Sequence, residues 1–244
     1  MKKQRADVLL HETGLAPSRE KAQALIMAGQ VLVASQRVDK PGQLWDPGTV
    51  FTVQANLPFV SRGGTKLSHA LKVFEISVAG LTALDAGAST GGFTDCLLQQ
   101  GVKKVHAVDV GYGQLHAKLR ADPRVVVYER LNARLLTHEH LGELVDLVVA
   151  DLAFISLTKV LPALVACLKP EGKMVLLIKP QFELEPGQTQ KGVVRDPVLW
   201  DRAIARVQEK AVAMELRVLG VTPSPILGPK GNKEFFIFTC RKKV

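Results

Sequence analysis

Cysteine is scarce: Cys96, Cys167 and Cys240 lie far apart in a chain of 244 residues. An odd, scattered set makes neither a disulfide framework nor a cysteine zinc site, and it fits a reducing, cytoplasmic compartment. Long apolar runs are also lacking. The N-terminus, MKKQRADVLLHETG, starts basic, but its apolar stretch is two or three residues long and does not read as a signal peptide. The most membrane-like stretch, Val145 to Leu168, contains Asp146, Asp151, Lys159 and Pro162. Each central charge costs roughly 2.5–3.5 kcal/mol on insertion, so a strand, a turn and an amphipathic helix are expected there, with no stable membrane association. There is no internal repeat or low-complexity tract. Acidic residues are in deficit, 23 against 32 Lys and Arg, leaving a formal charge of +9. That balance favours a polyanionic partner, nucleic acid or an anionic surface, although solubility alone would also account for it.

Hydrophobic patterning divides the chain. Residues 1–57 read as a small α/β module. Pro17 to Gly29 is expected to be a helix capped by Ser18, VLVASQRVD two short strands around a turn at Ala34-Ser35, and Thr49–Val53 a further strand. Residues 58–64, with a proline and paired glycines, read as a linker, and 65–244 as a larger domain. There a helix from Lys66 to Phe74 precedes apolar strands at Leu81–Asp85, Val105–Asp109, Val125–Tyr128, Leu144–Ala150 and Lys173–Ile178, most of them separated by helical patterns. A helix near Pro197–Met214 leads to two final strands, ELRVLGVTPS and EFFIFTC, joined directly, so that one is antiparallel. The expected class is α/β: a doubly wound, seven-stranded, mainly parallel sheet beside the small N-terminal module.

The loop LDAGASTGGFTD sets Asp85, Gly87, Ala88, Ser89, Thr90, Gly91, Gly92 and Phe93 between the first strand and a helix, where glycines allow a tight turn and close approach to a ligand. Asp109, ending the next strand, is placed to accept hydrogen bonds from ribose hydroxyls. Ser89 stands where a dinucleotide fingerprint needs its second glycine, and no Walker-type G-K-[ST] occurs, which disfavours a nicotinamide oxidoreductase and a P-loop enzyme. The form D-x-G-x-x-x-G-G resembles the motif of S-adenosylmethionine-dependent methyltransferases. Asn132 has two readings, an adenine contact or the cap of the following helix.

The run MVLLIKPQFE raises a different question, because a buried strand ends by presenting an amine. Lys179 there, and Asp151 after the preceding strand, follow the carboxyl ends of parallel strands, the edge that faces a ligand crevice. Lys66 and Glu234 cannot be grouped with them by chain order, and read alone they are surface ions. His138-Glu139-His140 reads as a polar loop, and no metal is expected.

FVSRGGTKL, LDAGASTGGFTD, VVADLAFISL, LLIKPQFELEPGQTQKGVVRDP and GPKGNKEF match, in order, motifs of the TlyA family, which this chain resembles over nearly its whole length. The family comprises ribosomal-RNA 2′-O-methyltransferases, often labelled haemolysins, with an FtsJ-type catalytic domain and a Lys-Asp-Lys-Glu tetrad. The resemblance implies S-adenosylmethionine as cofactor, with Asp151 also on its binding surface, and Lys66, Asp151, Lys179 and Glu234 as the tetrad. Lys179 would then be a base for a ribose hydroxyl or a cation beside a developing alkoxide; both roles stay open. RADVLLHETGLAPSREKAQALIMAGQVLV is similar to a small RNA-binding domain named after a ribosomal protein. Ribosomal RNA or a ribosomal subunit is the implied partner, with Arg5, Arg19, Lys21, Arg37 and Arg62 as candidate contacts and Lys103, Lys104, Lys230 and Lys233 as possible extensions. Two positions depart from the family: Ala153 where a serine is usual, and Ala34-Ser35 in place of Asn-Gly. The alternatives are a membrane-active haemolysin and a non-catalytic RNA-binding protein.

Overall fold

Short apolar runs bounded by glycine, proline or charge decide where strands form in this chain. The computed structural model describes residues 3–242 apart from residues 35, 54–57, 186, 190 and 191. Two units, residues 1–62 and 63–244, each close around a core of their own.

The first unit comprises β1 (Gln4–Arg5), α1 (Ala6–Glu12), α2 (Arg19–Met27), β2 (Val31–Val33), β3 (Gln36–Arg37), β4 (Leu44–Trp45) and β5 (Phe51–Val53). Ser18 caps α2, its hydroxyl accepting from the Lys21 backbone N–H at 3.2 Å, as the sequence leads one to expect. Strands β3, β2 and β5 form one antiparallel sheet, and β1 pairs with β4. Leu10, Ile26, Val31 and Phe51 supply the core. The turn between β2 and β3 starts at Ala34 with φ of +46°; Ser35, its expected second residue, lies outside the described residues.

The second unit opens with α3 (Arg62–Val73) and continues through β6 (Thr82–Ala86), α4 (Gly92–Gln99), β7 (Lys104–Val108), α5 (Ala117–Arg120), β8 (Val125–Tyr128), α6 (His138–Leu141), β9 (Val145–Ala150), α7 (Leu157–Ala166), β10 (Leu168–Ile178), α8 (Pro180–Glu183), α9 (Pro197–Ala213), β11 (Leu216–Pro223) and β12 (Phe235–Arg241). The strands form one seven-stranded sheet in the order β11-β12-β10-β9-β6-β7-β8, in which β12 alone runs against its neighbours. Strand order reverses between β6 and β9, the switch point where open α/β sheets leave a crevice. The expected strands and the single antiparallel member are found.

Two boundaries differ from expectation. Helix α3 starts at Arg62, so 62–64, read as linker, form its first turn; the N–H groups of a first turn have no helical partner, and glycines are tolerated there. Strand β10 starts at Leu168 rather than Lys173, because Leu168 already pairs with Val145 before the register shifts at Lys173. The stretch 145–168 is a strand, a loop and a helix, and no helix among the described residues is long and apolar enough to cross a membrane.

Candidate active site

The loop after β6 turns back at Gly87, with φ of +84°. A Cβ there would lie 2.6 Å from the Asp151 carbonyl oxygen, so the ends of β6 and β9 come closer than any side chain permits. Ser89, the residue that breaks the dinucleotide pattern, adopts φ of +50° and donates its backbone N–H to Asp109 Oδ2 at 2.8 Å. Gly111 N–H donates to Asp109 Oδ1 at 2.7 Å. Each carboxylate oxygen keeps acceptor capacity for a second donor such as a hydroxyl.

Around this loop lies a cavity of about 460 Å³. Gly87, Ser89, Asp109, Asn132 and Asp151 line it, with Val110, Leu131, Leu152 and Ile155 as an apolar wall. The volume is within the ~300–1,000 Å³ typical of ligand sites. Paired acceptor oxygens for ribose hydroxyls beside an apolar slot fit an adenosyl group. Asn132 caps the turn Ala133–Leu135, its Oδ1 accepting from Arg134 N–H at 3.0 Å, and it also faces this cavity; both of its readings have a geometric basis.

The other loop residues sit elsewhere. Asp85 is fully buried and turned under the loop, where its Oδ2 accepts from the Thr94 hydroxyl at 2.7 Å; burial pushes this carboxyl up to about 7. It ties β6 to α4 and does not line the cavity. Ala88 borders a small adjoining recess, while Thr90, Gly91, Gly92 and Phe93 shape the turn and the start of α4.

Beside the cavity two lysine amines and two carboxyl groups meet. Lys179 Nζ lies 2.5 Å from Asp151 Oδ1, Lys66 Nζ 4.0 Å from Asp151 Oδ2, and Lys66 Nζ 2.5 Å from Glu234 Oε2. Topology explains the convergence. Asp151 and Lys179 follow the carboxyl ends of β9 and β10. Because β12 is antiparallel, its first residue, Phe235, pairs with Ile178, so Glu234 and Lys179 leave the sheet at one rung. Amine and carboxyl groups alternate along the run Lys179–Asp151–Lys66–Glu234. Glu234 is wholly buried and Lys66 nearly so, whereas the Asp151 side chain keeps 23% of its surface exposed. The Lys179–Asp151 end is therefore the one open to a substrate.

Residues that motif spacing did not single out complete the rim. Phe154, with φ of +62° and 91% exposed, stands 5.4 Å from the Phe182 ring. Glu183 is buried in α8, where it accepts from the Ser156 hydroxyl and from Leu157 N–H at 2.8 Å, anchoring the loop after Asp151; burial raises its carboxyl above the usual range. Asn232 accepts from Val194 N–H at 3.0 Å and donates to the Gly192 carbonyl at 2.9 Å, fastening the segment before α9 to the turn that presents Glu234. None of these carries a local signal, since each acts on partners distant in the chain.

In the first unit, Arg5 forms a two-pronged bond to buried Asp7, at 2.9 Å for both contacts, and Arg19 lies 3.7 Å from the same carboxylate. The Arg5 bond holds the Asp7 carboxyl down at about 2. Lys21 is exposed, as is about half of each of the Arg5 and Arg19 side chains. Arg37 is turned inward: its guanidinium packs on Gly29 and burial lowers its pKa, which leaves it less available than expected for a phosphate. Arg62 begins α3. Of the possible extensions, Lys104 pairs with Glu143 at 2.7 Å and Lys233 covers the Trp200 ring at 4.8 Å.

Residues 59–241 match the family described as FtsJ-like methyltransferase, and residues 4–51 match the S4 domain. The 16S/23S rRNA (cytidine-2′-O)-methyltransferase TlyA of Mycobacterium tuberculosis is 50% identical over 237 residues, 96% of this chain and 88% of that protein. Hemolysin A of Brachyspira hyodysenteriae is 43% identical over 95% of this chain and 97% of its own. A solved structure from Streptococcus thermophilus, provisionally described as a hemolysin, superposes with a TM-score of 0.78 at 42% identity, covering 99% of this chain and 90% of that one.

Proposed function

We propose, because this chain belongs to the FtsJ-like methyltransferase family, that it methylates a ribose 2′-hydroxyl, that of a cytidine in ribosomal RNA, with S-adenosylmethionine as donor. The observation that carries this reading is the run of ion pairs Lys179–Asp151–Lys66–Glu234 at the edge of a cavity suited to an adenosyl group. S-adenosylmethionine, when bound, supplies a methyl group already activated on a sulfonium sulfur. Asp109 takes the ribose hydroxyls of that ligand, Asn132 faces its base, and Gly87 and Ser89 let the backbone approach it.

The remaining chemistry belongs to the hydroxyl, a poor nucleophile until its proton leaves. Lys179 meets that hydroxyl: as a neutral amine it would take the proton, and as an ammonium it would stabilise the alkoxide that forms. Asp151, in contact with the amine, orients it and stabilises the ammonium that results. Lys66 holds the second oxygen of Asp151 and is itself balanced by Glu234. Alignment in a buried site supplies much of the rate. The cytoplasm, where ribosomal subunits assemble, is the proposed place of action, with the S4 unit as an RNA contact.

The test is transfer of tritiated methyl to ribosomal subunits from a strain lacking this protein, followed by mapping of the labelled nucleotide. Lys179→Ala should lose at least about 10²-fold in rate, since base catalysis alone contributes 10²–10⁴-fold, while binding S-adenosylhomocysteine within twofold of wild type. Full activity in that variant would overturn the assignment. Membrane lysis, suggested by the name of the Brachyspira relative, predicts dye release from liposomes; none is expected here.

A further inference from the structure

We propose that Gly228 is a positioning residue for the tetrad: the side chain it lacks is the room in which the Glu234 carboxyl sits, and through Glu234 it sets where Lys66 and Asp151 stand. The kinetic consequence rests on the 2′-hydroxyl reading above. A carboxyl group has two oxygens through which hydrogen bonds can orient it. In Glu234 only Oε2 is held in that way, 2.5 Å from Lys66 Nζ, while Oε1 is buried and has no hydrogen-bond partner among the described residues. One bond to an amine on a flexible four-carbon stem leaves the carboxyl able to swing, so packing has to fix it.

Gly228, in the turn before β12, supplies that packing. A Cβ on Gly228 would overlap Glu234 Oε1 outright and would lie 2.6 Å from Cδ and 3.2 Å from Oε2. The turn itself has little freedom to give way. The Gly228 N–H donates to the Asn232 carbonyl at 2.8 Å and its carbonyl accepts from Gly231 N–H at 3.1 Å, while the Asn232 side chain is bonded to Val194 and Gly192. The group that has to move is the Glu234 carboxyl, in a wholly buried setting where its bond is to Lys66. Lys66 in turn stands 4.0 Å from Asp151 Oδ2, and Asp151 touches Lys179, so a displaced glutamate is felt at the open end of the tetrad.

Backbone conformation does not demand glycine here. Gly228 has φ of −70° and ψ of 178°, extended backbone that any residue adopts, and the proline after it favours that region for whatever precedes it. The requirement for glycine therefore comes from contact with Glu234, and it should vanish when the glutamate side chain is removed.

The experiment compares wild type, Gly228→Ala, Glu234→Ala and the double variant Gly228→Ala/Glu234→Ala. Single-turnover methyl transfer to ribosomal subunits, calorimetric binding of S-adenosylhomocysteine and thermal unfolding are measured on each. Gly228→Ala should lose about 10²-fold in rate, the loss that about 1 Å of misplacement causes, and bind S-adenosylhomocysteine within about twofold of wild type. Glu234→Ala removes the atoms that the new methyl group meets and leaves Lys66 with Asp151 nearby. In that background Gly228→Ala should cost no further rate and should hold or raise the unfolding temperature, because alanine at a compatible backbone restricts the unfolded chain. A wild-type rate in Gly228→Ala, or a second full loss in the double variant, overturns the proposal. If Gly228→Ala fails to fold, unfolding decides: a double variant that melts with Glu234→Ala upholds the contact, and one that also fails overturns it. Absence of transfer by wild type removes the ribose reading alone, since the unfolding comparison still reports whether Gly228 places Glu234.

Discussion

Glu234 is wholly buried, and the group it meets is Lys66, 2.5 Å away and itself with little access to water. Removing one partner of such a pair strands the other in low dielectric. Lys66→Ala is expected to destabilise the fold by about 3–5 kcal/mol, and the double variant Lys66→Met/Glu234→Gln, which removes both charges, by clearly less. Urea unfolding of the single and double variants measures the difference; additive losses would mean that the pair is not coupled. Asp85 behaves in the opposite sense. Its folded carboxyl sits at about 7 because burial disfavours the charge, so the folded state binds a proton that the unfolded chain releases near the ordinary range. Stability then falls as pH rises from about 4 to about 7 and levels off above that. Asp85→Asn should gain roughly 1–3 kcal/mol at pH 8 and nothing at pH 4, as read from unfolding curves across that range. At this scale the sequence was legible where residues follow strand ends, as Asp151 and Lys179 do. Lys66 and Glu234 were reachable only through the family motif, because what joins them is a fold contact 168 positions long. Phe154 had no signal, since a positive φ is a property of coordinates, not of residue type.

The elements explain why the site stands where it does. Parallel strands deliver Asp151 and Lys179 to one edge, and a single reversed strand delivers Glu234 to that edge from its opposite end. The apolar runs made the sheet readable, and two strands joined without a helix made the reversal readable. Less readable were the start of α3, where paired glycines look like a break yet occupy a first turn, and the early part of β10. Around Pro170 and Gly172 a turn composition is carried within the strand by a register shift. The glycine loop was legible in position but only partly in detail, because Asp85 serves the fold from beneath. Its sharpest constraint is Gly87. A methyl group there meets the Asp151 carbonyl at 2.6 Å, and the positive φ disfavours any side chain besides. Gly87→Ala should therefore push the ends of β6 and β9 apart, costing about 1–3 kcal/mol of stability and at least tenfold in affinity for S-adenosylhomocysteine. Calorimetry and thermal unfolding test both, and wild-type affinity would show that the two strand ends can separate without closing the cavity.

For the molecule as a whole, the excess of basic residues is the balance that a polyanionic partner calls for, and the S4 domain at residues 4–51 is where the proposed RNA contact is to be tested. Composition could suggest such a partner but could not say which cations are free, since that depends on what each one faces after folding. Arg37 is drawn inward, Lys104 and Lys233 are occupied by Glu143 and Trp200, and Arg5 is locked on Asp7. Lys21 is exposed and its side chain has no partner among the described residues, and Arg19, at 3.7 Å from Asp7, is only loosely held. For every phosphate that a cation no longer neutralises, the slope of log affinity against log salt should fall by about 0.7–0.9. Lys21→Glu combined with Arg19→Gln, chosen so that no new acid is placed beside Asp7, should thus weaken binding of ribosomal RNA at low salt by about tenfold and flatten the slope by between one and two. Affinity for S-adenosylhomocysteine, set in the other unit, should stay at the wild-type value. Filter binding over a salt series, with calorimetry on the same preparations, separates the outcomes. An unchanged slope would remove these two cations from the RNA path, and a parallel loss of cofactor affinity would trace the defect to folding instead of to phosphate recognition.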